Sequence, residues 1–125
     1  MDTGYIMSEA LTIAETGGYM EGPAEGDLLR TVDDANLVIE ARFSARIRSA
    51  LLYAPNMTAR FFDLSSGEAG TILQKFRTYR IRVALVCPPG SVRFSRRFPE
   101  LIAEENRKPY FRFFESSDAA REWLA

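Results

Sequence analysis

Histidine is absent from all 125 positions, and cysteine occurs once, at Cys87. Without an imidazole there is no Ser-His-Asp or Cys-His relay and no His-ligated metal. One thiol cannot close an internal disulfide or build a thiolate zinc site, and it suits a reducing compartment, read here as the cytoplasm. No apolar run approaches the ~20 residues that a membrane span needs. Asp2 and Glu9, with no basic stretch beside them, leave the N-terminus unlike a signal peptide. These absences predict a chain without metal, cofactor or membrane contact. Any catalysis would rest on carboxylate, Lys, Arg or Tyr groups, and no constellation of these stands out.

What is present is ordinary for a globular protein: 46% apolar and 26% charged residues. The length fits one domain over 1–125, able to bury about two-thirds of its unfolded surface. Residues 1–8 carry no pattern and are expected to be poorly ordered, with Met1 and Met7 both open as the natural start. Charge is lopsided behind the net value of −1. Residues 1–40 hold nine acids against Arg30, whereas 41–125 hold eight acids against fifteen bases. A basic excess can serve nucleic acid. These bases, however, are scattered along the sequence rather than gathered on one helix face, which argues against a nucleic-acid partner.

Apolar strand-like runs alternate with helical patterns. Leu11 to Glu15 reads as a strand ending at Gly17-Gly18, and Asp27 to Arg30 as a short second strand within a Gly- and Glu-rich loop. Thr31 is placed to cap a helix reaching Ser44, with Asp33 and Asp34 in its first turn and Ala35, Val38, Ile39 and Phe43 on one face. Ser49 to Ala54 is a short buried strand. Ala69, Ile72, Leu73 and Phe76 recur at helical spacing, predicting a helix from Ser66 to Thr78. Ile81 to Cys87 reads as a central parallel strand, closed by Pro88-Pro89-Gly90. A helix from Phe94 to Arg107, an aromatic strand from Tyr110 to Glu115, and a helix capped by Ser117 that buries Trp123 and Leu124 complete the order β-β-α-β-α-β-α-β-α. That order predicts an α/β domain with a mainly parallel sheet of four to five strands and right-handed crossovers.

Phe61-Phe62-Asp63-Leu64, then Ser66-Gly67 and Ala69-Gly70, then Leu73-Gln74-Lys75-Phe76, Tyr79-Arg80 and Ala84-Leu85-Val86 resemble a bacterial domain of unknown function, family 4180. Ser95, Ile102, Glu104, Asn106 and Phe113-Phe114 extend the resemblance, which runs from about Asp33 to Leu124. Ala103, Glu105 and the Pro88-Pro89-Gly90 turn depart from it. It implies a fold but no activity. A fainter resemblance is to STAS domains, which place Asp-Ser-Ser-Gly at a helix start after a buried strand. In their anti-sigma-antagonist members the second serine is phosphorylated, a role the resemblance implies for Ser66. Leu64 departs from that pattern by separating Asp63 from the serines. The implied topology is STAS-like.

Asp63, Ser65, Ser66 and Gly67 are therefore the candidate site, for phosphorylation, an anion or a partner. Hydroxyls and free backbone N–H groups meet there at a helix start. Ser65-Ser66-Gly67-Glu68 also reads as a capping box in which Ser65 bonds the Glu68 N–H, which explains one serine by stability alone. Gln74, Lys75, Tyr79, Glu104 and Asn106 are candidate contacts. Gly70 is expected to permit close packing, and Cys87 to be a small core residue. The function expected is a non-enzymatic regulatory or protein-interaction module whose partner is another protein or a second copy of the chain. The alternative is a small-molecule or anion binder with a pocket lined by Asp63, Ser66, Tyr79 and Asn106.

Overall fold

Five apolar segments too short for helices pair into one sheet in the computed structural model, which describes residues 11–14 and 18–125. The strands are β1 (Thr12–Ile13), β2 (Met20–Glu21), β3 (Ser49–Tyr53), β4 (Arg82–Val86) and β5 (Phe111–Phe114), in spatial order 1-2-3-4-5. β1 runs antiparallel to β2. The remaining neighbours are parallel, with Ala50 opposite Val83 and Leu85 opposite Phe113. The helices are α1 (Ala35–Ala45), α2 (Glu68–Thr78), α3 (Phe98–Glu105) and α4 (Ser117–Leu124). The expected α/β order and the interior position of the Ile81–Cys87 strand are what the structure shows.

Strand order that advances one step at each right-handed crossover puts every crossover helix on the same face. α1, α2 and α3 accordingly share one core, where Val38, Ile72, Leu73, Phe76 and Phe98 meet Ala50, Leu52, Val83, Leu85 and Phe111. Pleating sends the alternate residues Leu51, Ala84 and Val86 to the other face, where only Ala120 and Leu124 of α4 join them in the buried cluster with Tyr19. This second face is also held by directed contacts. Arg82 donates to the Trp123 carbonyl at 3.0 Å and lies over its ring at 4.1 Å. Glu21 accepts from Tyr53 Oη at 2.7 Å and from Arg121 Nη2 at 3.0 Å. Burial first, and then the Glu21 carboxylate, hold the Tyr53 hydroxyl above its ordinary pKa.

Several boundaries differ from those read in the sequence. The second strand is Met20–Glu21 rather than Asp27–Arg30. Leu28 and Leu29 are buried from a loop instead, with the Leu29 N–H donating to the Asn56 carbonyl at 2.7 Å. Val32–Asp34 is a 3-10 turn before α1, in which Asp34 Oδ2 accepts the Thr31 N–H. Phe43 is not inward: its ring turns to the surface, where it meets Tyr79 and the Arg42 guanidinium, and Ala41 takes the buried position. α2 begins at Glu68 and α3 at Phe98, because residues 94–97 are tied to the preceding loop through Ser95. Ser116, not Ser117, caps α4 by accepting the Ala119 N–H at 3.2 Å. Trp123 is only half-buried. Residues 1–8, and Glu15 to Gly17 of the first strand and turn, lie outside the described residues.

Candidate functional site

The carboxyl ends of β3 and β4 open into two long loops, residues 54–67 and 87–97, and the expected site lies in the first. The first loop is fixed by Asn56, which is fully buried although polar. Its Oδ1 accepts the Tyr53 N–H at 2.8 Å, and its Nδ2 donates to the carbonyls of Pro23 and Gly26 at 2.9 and 3.0 Å. One amide thus satisfies three backbone groups from two loops. A Cβ at Gly22 would stand 2.5 Å from Asn56 Oδ1, so that close approach requires glycine. Nothing in the local sequence flags Asn56, because two of its three partners, the carbonyls of Pro23 and Gly26, are 33 and 30 residues away.

Further along, Phe61 is fully buried against Phe62, Phe98 and Phe111 and anchors the loop in the core. Asp63 then starts a 3-10 turn over Leu64–Ser66, its Oδ1 accepting both the N–H and the hydroxyl of Ser65 at 3.1 and 2.7 Å. The two serines exchange the roles expected of them. Ser66, not Ser65, accepts the Glu68 N–H at 3.1 Å, while its own hydroxyl donates to the Arg60 carbonyl at 2.8 Å. The cause is Gly67, whose left-handed backbone (φ 77°) breaks the turn from α2 and itself takes the N-cap position, so the hydroxyl that reaches the Glu68 N–H comes from two residues before it rather than three. Ser65 is consequently the exposed serine and Ser66 the half-buried one.

The second loop packs beside the first. Ser95 donates its N–H to the Phe62 carbonyl at 3.0 Å and accepts the Leu64 N–H on its hydroxyl at 2.9 Å. Two grooves result, both open to solvent. One of about 450 Å³ is lined by Phe62, Asp63, Val92, Arg93, Phe94 and Ser95. The other, about 390 Å³, is lined by Asp63, Leu64, Ser65, Ser95, Arg96 and Arg97. Arg97 pairs with Glu100 and Arg60 with Asp63, whereas Arg93 and Arg96 have no carboxylate partner among the described residues. The sequence reading missed these arginines as site residues. Ser95 alone gave a signal, as one of the residues carrying the family resemblance.

The other candidates do not converge here. Gln74 is exposed on α2 and donates to Thr78 Oγ1 at 3.3 Å, and Lys75 is half-buried on the same helix. Tyr79 caps the opposite end of α2, ~16 Å from its start at 1.5 Å per residue. Glu104 pairs with Lys108 on the surface. Asn106 accepts the Phe113 N–H at 2.9 Å, covering an N–H on the outer edge of β5. Neither groove at Asp63 includes Ser66, Tyr79 or Asn106 in its lining. Gly70 has open space around it, so packing does not account for it. Cys87 is buried, and burial pushes its thiol up to about 12, which keeps it a neutral core group. Among the described residues no His, Cys, Asp or Glu cluster could hold a metal, and no helix is long and apolar enough to cross a membrane.

Fold and site together define a single small α/β domain with a mostly parallel five-stranded sheet, four helices, and an open, arginine-flanked surface at the carboxyl ends of its central strands. Residues 15–124 match the family described as a domain of unknown function (DUF4180), and the chain belongs to that family. No characterised protein and no solved structure gives a significant match.

Proposed function

We propose that this domain is a non-catalytic, STAS-like interaction module that binds a partner protein through the loop ahead of α2. The observation that carries the reading is the open surface joining Asp63 and exposed Ser65 to the Arg93–Arg97 segment, in place of an enclosed pocket. Ligand pockets usually bury most of a small molecule, which these open grooves would leave exposed. Unpaired Arg93 and Arg96 suit a partner that presents carboxylates there. The stepwise order of the parallel strands, and a serine-bearing helix start after a buried strand, support the STAS-like organisation.

A regulatory phosphate would act differently at the two serines. On Ser66 it would displace the bond to the Arg60 carbonyl and disturb the cap of Glu68, altering loop and charge together. On Ser65 it would add ~1.5–2 negative charges at the exposed surface and replace the hydroxyl bond to Asp63 with repulsion, while leaving the Glu68 contact intact. Affinity capture from the native host with wild type, Ser65→Asp, Ser66→Asp and an Arg93→Glu/Arg96→Glu double variant tests the reading. A partner retained by wild type and lost by the double variant is expected, with Ser65→Asp weakening it while the Ser66 bond to the Glu68 N–H is kept. Equal recovery with all four proteins sinks the proposal. No recovery, together with saturable binding of inorganic phosphate to wild type, would replace it with an anion-binding domain.

A further inference from the structure

The bases that look scattered in the sequence are gathered by the fold at the amino edge of the sheet, opposite the loops just described. α1 and α2 both end there, and β3, β4 and β5 begin there. The Arg82 N–H donates to the Arg48 carbonyl at 2.7 Å, the Val83 N–H to the Tyr110 carbonyl at 2.7 Å, and Arg42 Nε to the Tyr79 carbonyl at 3.0 Å. These bonds join three separate chain turns into one surface. Arg42, Arg46, Arg48, Arg80 and Arg107 lie on or next to them, and none has a carboxylate partner among the described residues. The terminal carbonyls of α1 and α2 supply only about half a negative charge each, fewer than these cations.

Aromatic surface is concentrated at the same edge. Among the described residues four large apolar side chains are exposed, and three of them are here: Phe43 at 55%, Tyr79 at 43% and Tyr110 at 38%. Phe43 and Tyr79 meet edge to face at 6.2 Å, with the Arg42 guanidinium 4.5 Å over the Phe43 ring. These rings are held by neighbours yet remain open to solvent. Arg46 and Arg80 add a third observation. They are the two non-glycine residues of positive φ in the described chain (59° and 56°), each just past a helix end where glycine is the relaxed choice. Both keep a long cation at a strained position, and both side chains are exposed.

We propose that this edge binds single-stranded nucleic acid, the arginines following the phosphates and Tyr79, Phe43 and Tyr110 offering faces to unpaired bases. Cations without partners account for a polyanion. Open rings among them favour bases over an acidic peptide, because every base has a face to stack and a carboxylate has none. The chain's net charge of −1 supplies no long-range attraction, so binding is confined to this surface and falls steeply with salt.

Fluorescence anisotropy of labelled oligothymidine and oligouridine of about 15 nucleotides, titrated with the full chain at about 50 mM salt, tests the assignment. A saturable rise is expected, weakened at least tenfold by about 200 mM salt. Arg46→Asn/Arg80→Asn removes two charges while relaxing both left-handed positions, so it should weaken binding at least fivefold with melting temperature unchanged or raised. Arg46→Lys/Arg80→Lys should largely retain binding, and Tyr79→Ala should lower it at least fivefold. Arg93→Glu/Arg96→Glu, at the other end of the sheet, should leave it unchanged, which keeps this result separate from the partner-protein reading. Absence of a saturable rise overturns the proposal. So does binding indifferent to Tyr79→Ala, which marks a general polyanion surface, or binding lost equally when the opposite edge is altered.

Discussion

The two faces of this sheet are built from the same strands and held in different ways. On one face α1, α2 and α3 bury a continuous apolar layer in which Phe61, Phe62, Phe94, Phe98, Phe113 and Phe111 touch in succession. On the other, α4 covers a small cluster and is fastened by Arg82 against Trp123 and by Arg121 with Glu21 and Tyr53. The first face gains stability from area, which is non-directional and additive over many contacts. The second has too little apolar area for one eight-residue helix, and directed bonds fix its position. A helix held by area tolerates loss of any one polar contact, whereas α4 depends on a few.

The largest effect should come from emptying the first face. Phe76→Ala or Leu73→Ala, both nearly fully buried, should each cost about 2–5 kcal/mol in urea denaturation. A loss below ~1 kcal/mol at either would show that α2 is not part of the main core. Asn56→Ala, which belongs to neither face but ties the loops above them, should cost about 2–4 kcal/mol by leaving the Tyr53 N–H and two carbonyls unpaired. Gly22→Ala should destabilise through the same amide, and the two substitutions together should fall short of their sum.

On the second face Trp123→Ala should cost about 1–2 kcal/mol, since the ring is half-buried, and should release α4 for amide exchange before the rest of the chain. Exchange in α4 that stays as slow as in α2 would mean that the directed contacts are dispensable. Ser66→Ala should cost ~1 kcal/mol as the lost cap and Ser65→Ala less than half of that, read from thermal melts.

The smallest effect is alkaline. Cys87 is raised from 9 to about 12 and Tyr53 is raised above 10, so both favour the neutral form when folded. Their contributions are complete below the unfolded pKa values and disappear as pH rises through the folded ones. Melting temperature should therefore fall above about pH 9, with Cys87→Ala and Tyr53→Phe each flattening the decline. Equal slopes in wild type and both variants would place the alkaline transition elsewhere.

Much of this was legible in the residues because it is local. The period of Ala69, Ile72, Leu73 and Phe76 marked the buried face of α2, and the apolar run at Ile81–Cys87, interrupted only by Arg82, marked a strand with neighbours on both sides. The absence of histidine and the single cysteine narrowed the chemistry before any fold was considered. Such features follow from side-chain spacing and from which groups a chain possesses, and both are properties of sequence.

Tertiary structure decided the rest. Which serine reaches the first N–H of α2 depends on the backbone handedness of Gly67 and on the Arg60 carbonyl that captures Ser66. Met20–Glu21 becomes the strand instead of Asp27–Arg30 because β3 offers it a free edge while Asn56 holds the later loop. Phe43 turns outward to meet Tyr79 and Arg42, contacts made between the ends of two helices. Arg46, Arg48, Arg80 and Arg107 form one surface because parallel crossovers return every helix to the same edge. Each outcome turns on groups brought together across many residues, which spacing along the chain does not encode.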